Sequence, residues 1–115
     1  PLEVAGLDDD QLVAWTARAA EVLEDLQRRT RREDGSVLVH GDFWLGNLLV
    51  DGDRVCGVLD WSDSHRGSPE TDREFLLATL LAARPGAAGL HQRLRAATSP
   101  APDGTDTPLS RARRP

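Results

Sequence analysis

The chain has 115 residues, 39% of them hydrophobic and 29% charged, with a formal net charge of −5. That length makes one modest domain. The acidic balance argues against a nucleic-acid partner, which would call for a basic face, and no apolar run approaches the roughly 18 residues of a membrane span.

A single cysteine, Cys56, leaves no internal disulfide, and no basic-then-apolar start marks a secretory signal. The expected address is therefore cytoplasmic. The chain begins at Pro1 and contains no methionine, so it reads as a fragment or processed piece. All fourteen basic side chains are arginine.

In chain order, the first pattern is helical. Leu12, Trp15, Ala19, Val22, Leu23 and Leu26 recur at three- and four-residue steps and share one face. Asp8, Asp9 and Asp10 stand at its start, suited to free N–H groups and the positive end of the dipole. Arg28, Arg29, Arg31 and Arg32 stand near its end, as a solvated terminus, and Gly35 closes the segment.

A short apolar run, Val37-Leu38-Val39, leads into His40-Gly41-Asp42. Beyond it, Leu48-Leu49-Val50 and Val55-Cys56-Gly57-Val58-Leu59 flank Asp51-Gly52-Asp53, the pattern of a β-hairpin. Asp51-Gly52-Asp53 lacks the later ligands of a calcium loop and reads as the turn alone. Cys56 reads as a small apolar strand residue; His65 and His91 read as surface residues.

From Ser68-Pro69 the pattern turns helical again. Thr71 or Asp72 is placed to cap it, Phe75, Leu76, Leu77, Leu80 and Leu81 supply its apolar face, and Pro85-Gly86 ends it. A shorter helix is expected over about residues 87–97. Past Thr98 the chain becomes rich in Pro, Gly, Ser and Thr, too polar to offset the entropy of ordering, and residues 99–115 are expected to be a disordered tail.

The chemistry concentrates in Val39-His40-Gly41-Asp42-Phe43-Trp44-Leu45-Gly46-Asn47 and in Val58-Leu59-Asp60-Trp61. Asp42 and Asn47 share one tight loop between two strands. With the turn near Gly52-Asp53, Asn47 falls opposite about Val58 or Leu59. Asp60 then lies only roughly 3–7 Å further along the strand. Two carboxylates and an amide oxygen meet at one end of a small sheet. Hard oxygen donors of this kind suit Mg²⁺ bridging phosphates, and the remaining carboxylate, Asp42, is free to accept a proton from a hydroxyl. Each residue alone would be an ordinary turn or cap residue; the three in register are not. Trp44 and Trp61 either line a pocket or pack around the loop.

The order His-x-Asp, an Asn five residues after that Asp, and a strand ending in Asp resembles the catalytic and metal-binding segments of protein-kinase-like enzymes. Glycine at 41 and Asp60-Trp61 make it most similar to the aminoglycoside phosphotransferase family, over about residues 37–78. The resemblance implies an α+β fold, with residues 1–98 forming part of a kinase-like C-terminal lobe: helices around a hairpin that carries the catalytic and metal-binding loops. It implies Asp42 as the catalytic base or substrate-orienting carboxylate, Asn47 and Asp60 as Mg²⁺ and nucleotide-phosphate ligands, His40 as support of the loop, and Asp72 as its brace. The implied reaction is phosphoryl transfer from ATP (or GTP) to a hydroxyl of a small molecule such as an aminoglycoside or amino alcohol. Leu45 stands where the family often has proline and Ser68 where it usually has aspartate. No glycine-rich nucleotide loop precedes His40, and the phosphate-binding lysine of the family has no counterpart here. Two other classes therefore stay open: a non-catalytic remnant or binding module, and a metal-dependent hydrolase using His40, Asp42 and Asp60.

Overall fold

A computed structural model describes residues 1–100 of the chain. Most of the expected tail, residues 101–115, lies outside the described residues. Among the described residues, three α-helices, α1 (Asp9–Thr30), α2 (Thr71–Ala83) and α3 (Ala88–Thr98), accompany two small antiparallel sheets. The architecture is α+β, as expected.

Helix α1 begins where the aspartates predict. Asp8 is its N-cap: its Oδ1 accepts from the Gln11 N–H at 2.8 Å while the Gln11 Oε1 accepts from the Asp8 N–H at 2.9 Å, a reciprocal capping box. Its apolar stripe packs inward, with Leu12, Val13, Trp15, Ala19 and Leu23 in one core with Phe43, Leu45 and Leu48 from the central loop and Leu76, Leu80, Leu90 and Leu94 from α2 and α3. Burial of that stripe, at about 1.5–3 kcal/mol for each large aliphatic or aromatic side chain, holds the helices against the loop.

The expected hairpin is β2 (Leu48–Asp51) and β3 (Arg54–Val58), turning at Gly52, whose φ of 62° suits glycine. Its register pairs Leu48 with Val58 and Leu49 with Gly57, then shifts so that Val50 faces Val55. Cys56 is the extra residue of this bulge. It is exposed, its Sγ–H directed at the Leu49 carbonyl 3.3 Å away, which corrects the expectation of a buried strand cysteine.

The second sheet was not foreseen. Strand β1 (Val37–Val39) pairs with β4 (His65–Gly67), Val37 facing Gly67 and Val39 facing His65. Arg66 ties this sheet to the end of α1, its Nη2 donating to the carbonyls of Thr30 (2.7 Å) and Ser36 (3.1 Å), a favourable place for a cation.

Helix α2 corrects two further expectations. Its N-cap is Glu70, with no side-chain capping bond, and the carboxylate of Asp72 is directed elsewhere. Phe75 remains 39% exposed, so the inner face is carried by Leu76 and Leu80. His91, expected on the surface, is half-buried, its Nε2 within 2.7 Å of the Arg84 carbonyl.

Candidate active site

The loop between β1 and β2 is built from its buried side outward. Phe43 and Leu45 sink into the core, each 1% exposed. Alternation along the loop then brings Asp42 and Trp44 toward the surface. A 3-10 turn, Leu45–Asn47, closes it, with the Asn47 N–H bonded to the Trp44 carbonyl at 3.0 Å.

Two buried polar residues hold the loop's entry. Asp72, 1% exposed, accepts from the backbone N–H of His40 at 2.7 Å and of Gly41 at 3.0 Å. Its burial is therefore compensated by two donors, and it braces the loop. His40, fully buried, accepts at Nδ1 from the Asp42 N–H (3.1 Å), so its Nε2, 2.8 Å from the Leu59 carbonyl, carries the hydrogen and donates. One neutral imidazole thereby links the backbone of Asp42 to the residue before Asp60. Its ring meets Phe43 and Trp61 edge-on, with centroids 6.0 and 4.5 Å apart.

Gly41 adopts φ 94°, and a Cβ there would collide with the carbonyl and Cβ of Asp63. Both conformation and space demand glycine at this point. The loop from Gly41 and the turn after β3 are thus in close apposition.

Asp42 and Asn47 meet directly. The Asn47 Nδ2 donates to the Asp42 carbonyl at 2.8 Å and to its Oδ2 at 3.3 Å. With the amino group so engaged, the Asn47 Oδ1 is left as a lone acceptor. The expected cross-strand position also holds, since the Leu59 N–H donates to the Asn47 carbonyl at 2.8 Å and Asp60 follows immediately.

Asp60 is brought beside the pair through its backbone, but its carboxylate does not bond to either side chain. It accepts instead from the Ser62 hydroxyl, at 2.7 Å to Oδ1. That hydroxyl, with the Ser62 backbone N–H, holds the Asp60 carboxyl below its ordinary range. Asp60 also has φ 61°, a left-handed conformation that costs most side chains about 1–2 kcal/mol and that Asp tolerates better than most. Ser62 had no signal in the sequence beyond its position two residues after Asp60.

Asn47 Oδ1 and the second oxygen of Asp60 are hard donors from adjacent strand ends. They suit Mg²⁺, which binds few protein oxygens and keeps water and phosphate in the rest of its shell. Among the described residues no three His, Cys, Asp or Glu side chains are grouped to hold a metal. Since His40 is buried with both nitrogens engaged, the hydrolase alternative loses its first ligand.

The sequence profile of the phosphotransferase enzyme family matches residues 2–107. The chain belongs to that family. It is also similar to the Hygromycin-B 4-O-kinase of Escherichia coli, 29% identical over 103 residues, which cover 90% of this chain and 25% of the relative. The chain thus spans about a quarter of the length of that curated phosphotransferase. No solved structure matches it. Among the described residues no helix is long and apolar enough to cross a membrane.

Proposed function

We propose that this chain carries the transfer centre of a phosphotransferase that moves the terminal phosphoryl group of ATP (or GTP) to a hydroxyl of a small molecule. The observation that supports this most is the Asp42–Asn47 pair, with one side-chain amide donating to both the carbonyl and the carboxylate of Asp42 while the Asn47 backbone is bonded to Leu59, the residue before Asp60. In this reading Asp42 orients the acceptor hydroxyl and takes its proton. Asn47 and Asp60 would hold Mg²⁺, which, when bound, neutralises charge on the phosphates. Asp72 and His40 fix the backbone from which these groups project. The described residues are then part of the C-terminal lobe of a kinase-like fold, and the lobe that grips the nucleotide, with its lysine, belongs to sequence beyond these 115 residues.

The test is phosphate transfer from labelled ATP to hygromycin B and to simpler amino alcohols, by the 115-residue chain and by a longer protein that contains it. The longer protein should transfer phosphate with Mg²⁺ and lose that ability on Asp42→Ala with its fold intact. Transfer at the original rate by Asp42→Ala would refute the assignment. The chain's missing lysine favours a second reading of the isolated piece, as a binding module that keeps the lobe without turnover. No transfer by the 115 residues, beside transfer by the longer protein, is its signature.

A further inference from the structure

The turn after β3 holds a residue to which the phosphoryl chemistry gives no part. Ser62 stands two positions beyond Asp60, and its hydroxyl donates to the Asp60 Oδ1 at 2.7 Å. The bond engages one oxygen of a carboxylate that has two.

The turn that carries this hydroxyl is held from several sides. Residues 61–64 are closed by the Ser64 N–H, which donates to the Trp61 carbonyl at 3.0 Å. The Trp61 Nε1 donates to the Val58 carbonyl at 2.8 Å, and its ring packs on His40. The Asp63 carbonyl lies 2.9 Å from the His65 Nδ1 and against Gly41, where any added Cβ would strike it. Asp60 itself is set at φ 61°. Backbone and neighbours together therefore fix which oxygen the hydroxyl meets.

A hydroxyl hydrogen on Oδ1 carries partial positive charge and opposes the approach of a cation to that same oxygen. Asp60 is left to offer a cation Oδ2. That restriction weighs differently on the two common hard cations. Ca²⁺ gathers about six to eight oxygens in a flexible shell and often grips a carboxylate through both of its oxygens. Mg²⁺ is smaller, demands a near-octahedral shell, and keeps several waters beside one or two carboxylates. A single Asp60 oxygen with the Asn47 amide oxygen meets the second requirement and denies the first.

We infer that Ser62 sets the cation preference of this site, by blocking the two-oxygen grip on Asp60 that Ca²⁺ would use. The inference rests on Asn47 and Asp60 as the cation ligands of the function proposed above. Ser62 acts through Asp60 and is a positioning residue.

The experiment is a competition titration of the intact, isotope-labelled chain, followed by NMR. Mn²⁺ is added first, and its broadening of the Asn47 side-chain amide and of the backbone amides around Asp60 reports occupancy. Mg²⁺ or Ca²⁺ is then added until those signals return, and the ratio of the two concentrations gives the preference. Ser62→Ala should shift that ratio several-fold toward Ca²⁺, while Ser62→Thr, which keeps the hydroxyl, should leave it unchanged. A ratio unmoved by Ser62→Ala would overturn the inference, since a hydroxyl that merely stiffens the turn, or is itself a ligand, weakens both cations together. So would an equal shift in Ser62→Thr. The two levels of the proposal fail differently. Mn²⁺ that gathers away from residues 47 and 60 in the original chain removes the ligand pair, and the role of Ser62 with it. Mn²⁺ that gathers there, with a ratio that Ser62→Ala does not move, removes the role of Ser62 alone.

Discussion

The root of the loop between β1 and β2 and its rim are built on opposite principles. At the root, His40, Phe43, Leu45 and Asp72 are each at most 1% exposed, and both ring nitrogens of His40 and both carboxylate oxygens of Asp72 have partners. At the rim, Trp44, Asp60, Trp61 and Ser62 are exposed, and Asp60 is held by a single neighbour two residues away. A buried network fixes position, because each unmet bond in it would be expensive. An open rim leaves oxygens available to a ligand that arrives with its own charge. The loop needs both: a backbone that does not move and side chains that are not already satisfied.

Substitutions at root and rim should therefore separate stability from chemistry. The largest effect belongs to the rim-facing Asp42. In a longer, active protein Asp42→Ala should lower turnover by about 10²–10⁴-fold, the range for losing a general base, with the melting midpoint unchanged; steady-state rates beside thermal unfolding measure both. Next comes the root. Asp72→Ala leaves the His40 and Gly41 N–H groups buried without an acceptor and should destabilise the chain by about 3 kcal/mol, two charge-assisted bonds at roughly 1.5 kcal/mol each. Urea unfolding checks it, and a loss under about 1 kcal/mol would show that the brace carries little. Gly41→Ala forces a side chain into φ 94° and against Asp63; a loss of at least about 1–2 kcal/mol is expected from the backbone conformation alone, by the same assay.

The smallest effect tests the rim's own order. Ser62→Ala frees the Asp60 carboxylate to rotate and should weaken divalent-cation binding a few-fold, whereas Ser62→Thr should retain it. Calorimetric titration with Mn²⁺ reads this without turnover. Because the Ser62 bond lowers the Asp60 pKa, the same substitution should move the carboxyl back toward its ordinary value, visible as a higher midpoint in an NMR pH titration of Asp60. The sign for stability follows: a depressed folded-state pKa adds stability above the unfolded value that is lost as pH falls through the folded one.

How much of this was legible in the sequence depended on how local each contact is. Helix α1, its aspartate start, the hairpin and the juxtaposition of Asn47 with Leu59 follow from periodicity, capping chemistry and turn position. Strand β4 did not, because His65-Arg66-Gly67 has no alternation and pairs with a segment nearly thirty residues away. The bulge that exposes Cys56 was hidden, since one unpaired residue leaves an apolar run looking continuous. Asp72 read equally well as a helix cap and as a brace, and only the fold shows its carboxylate turned to His40 and Gly41. The close approach of the Trp44 ring to Gly46 was equally out of reach, since the sequence left open whether that ring lines a pocket or packs around the loop. For the candidate site, the sequence supplied the residue types and register; the commitments of each oxygen came from the structure.

Paramagnetic Mn²⁺ added to isotope-labelled protein probes the proposed ligand pair most directly. Substoichiometric Mn²⁺ should broaden the Asn47 side-chain amide and the backbone amides around Asp60 before any others, and Asp60→Asn should abolish that selectivity. Broadening that is uniform over the acidic surface, or centred away from residues 47 and 60, would contradict the account.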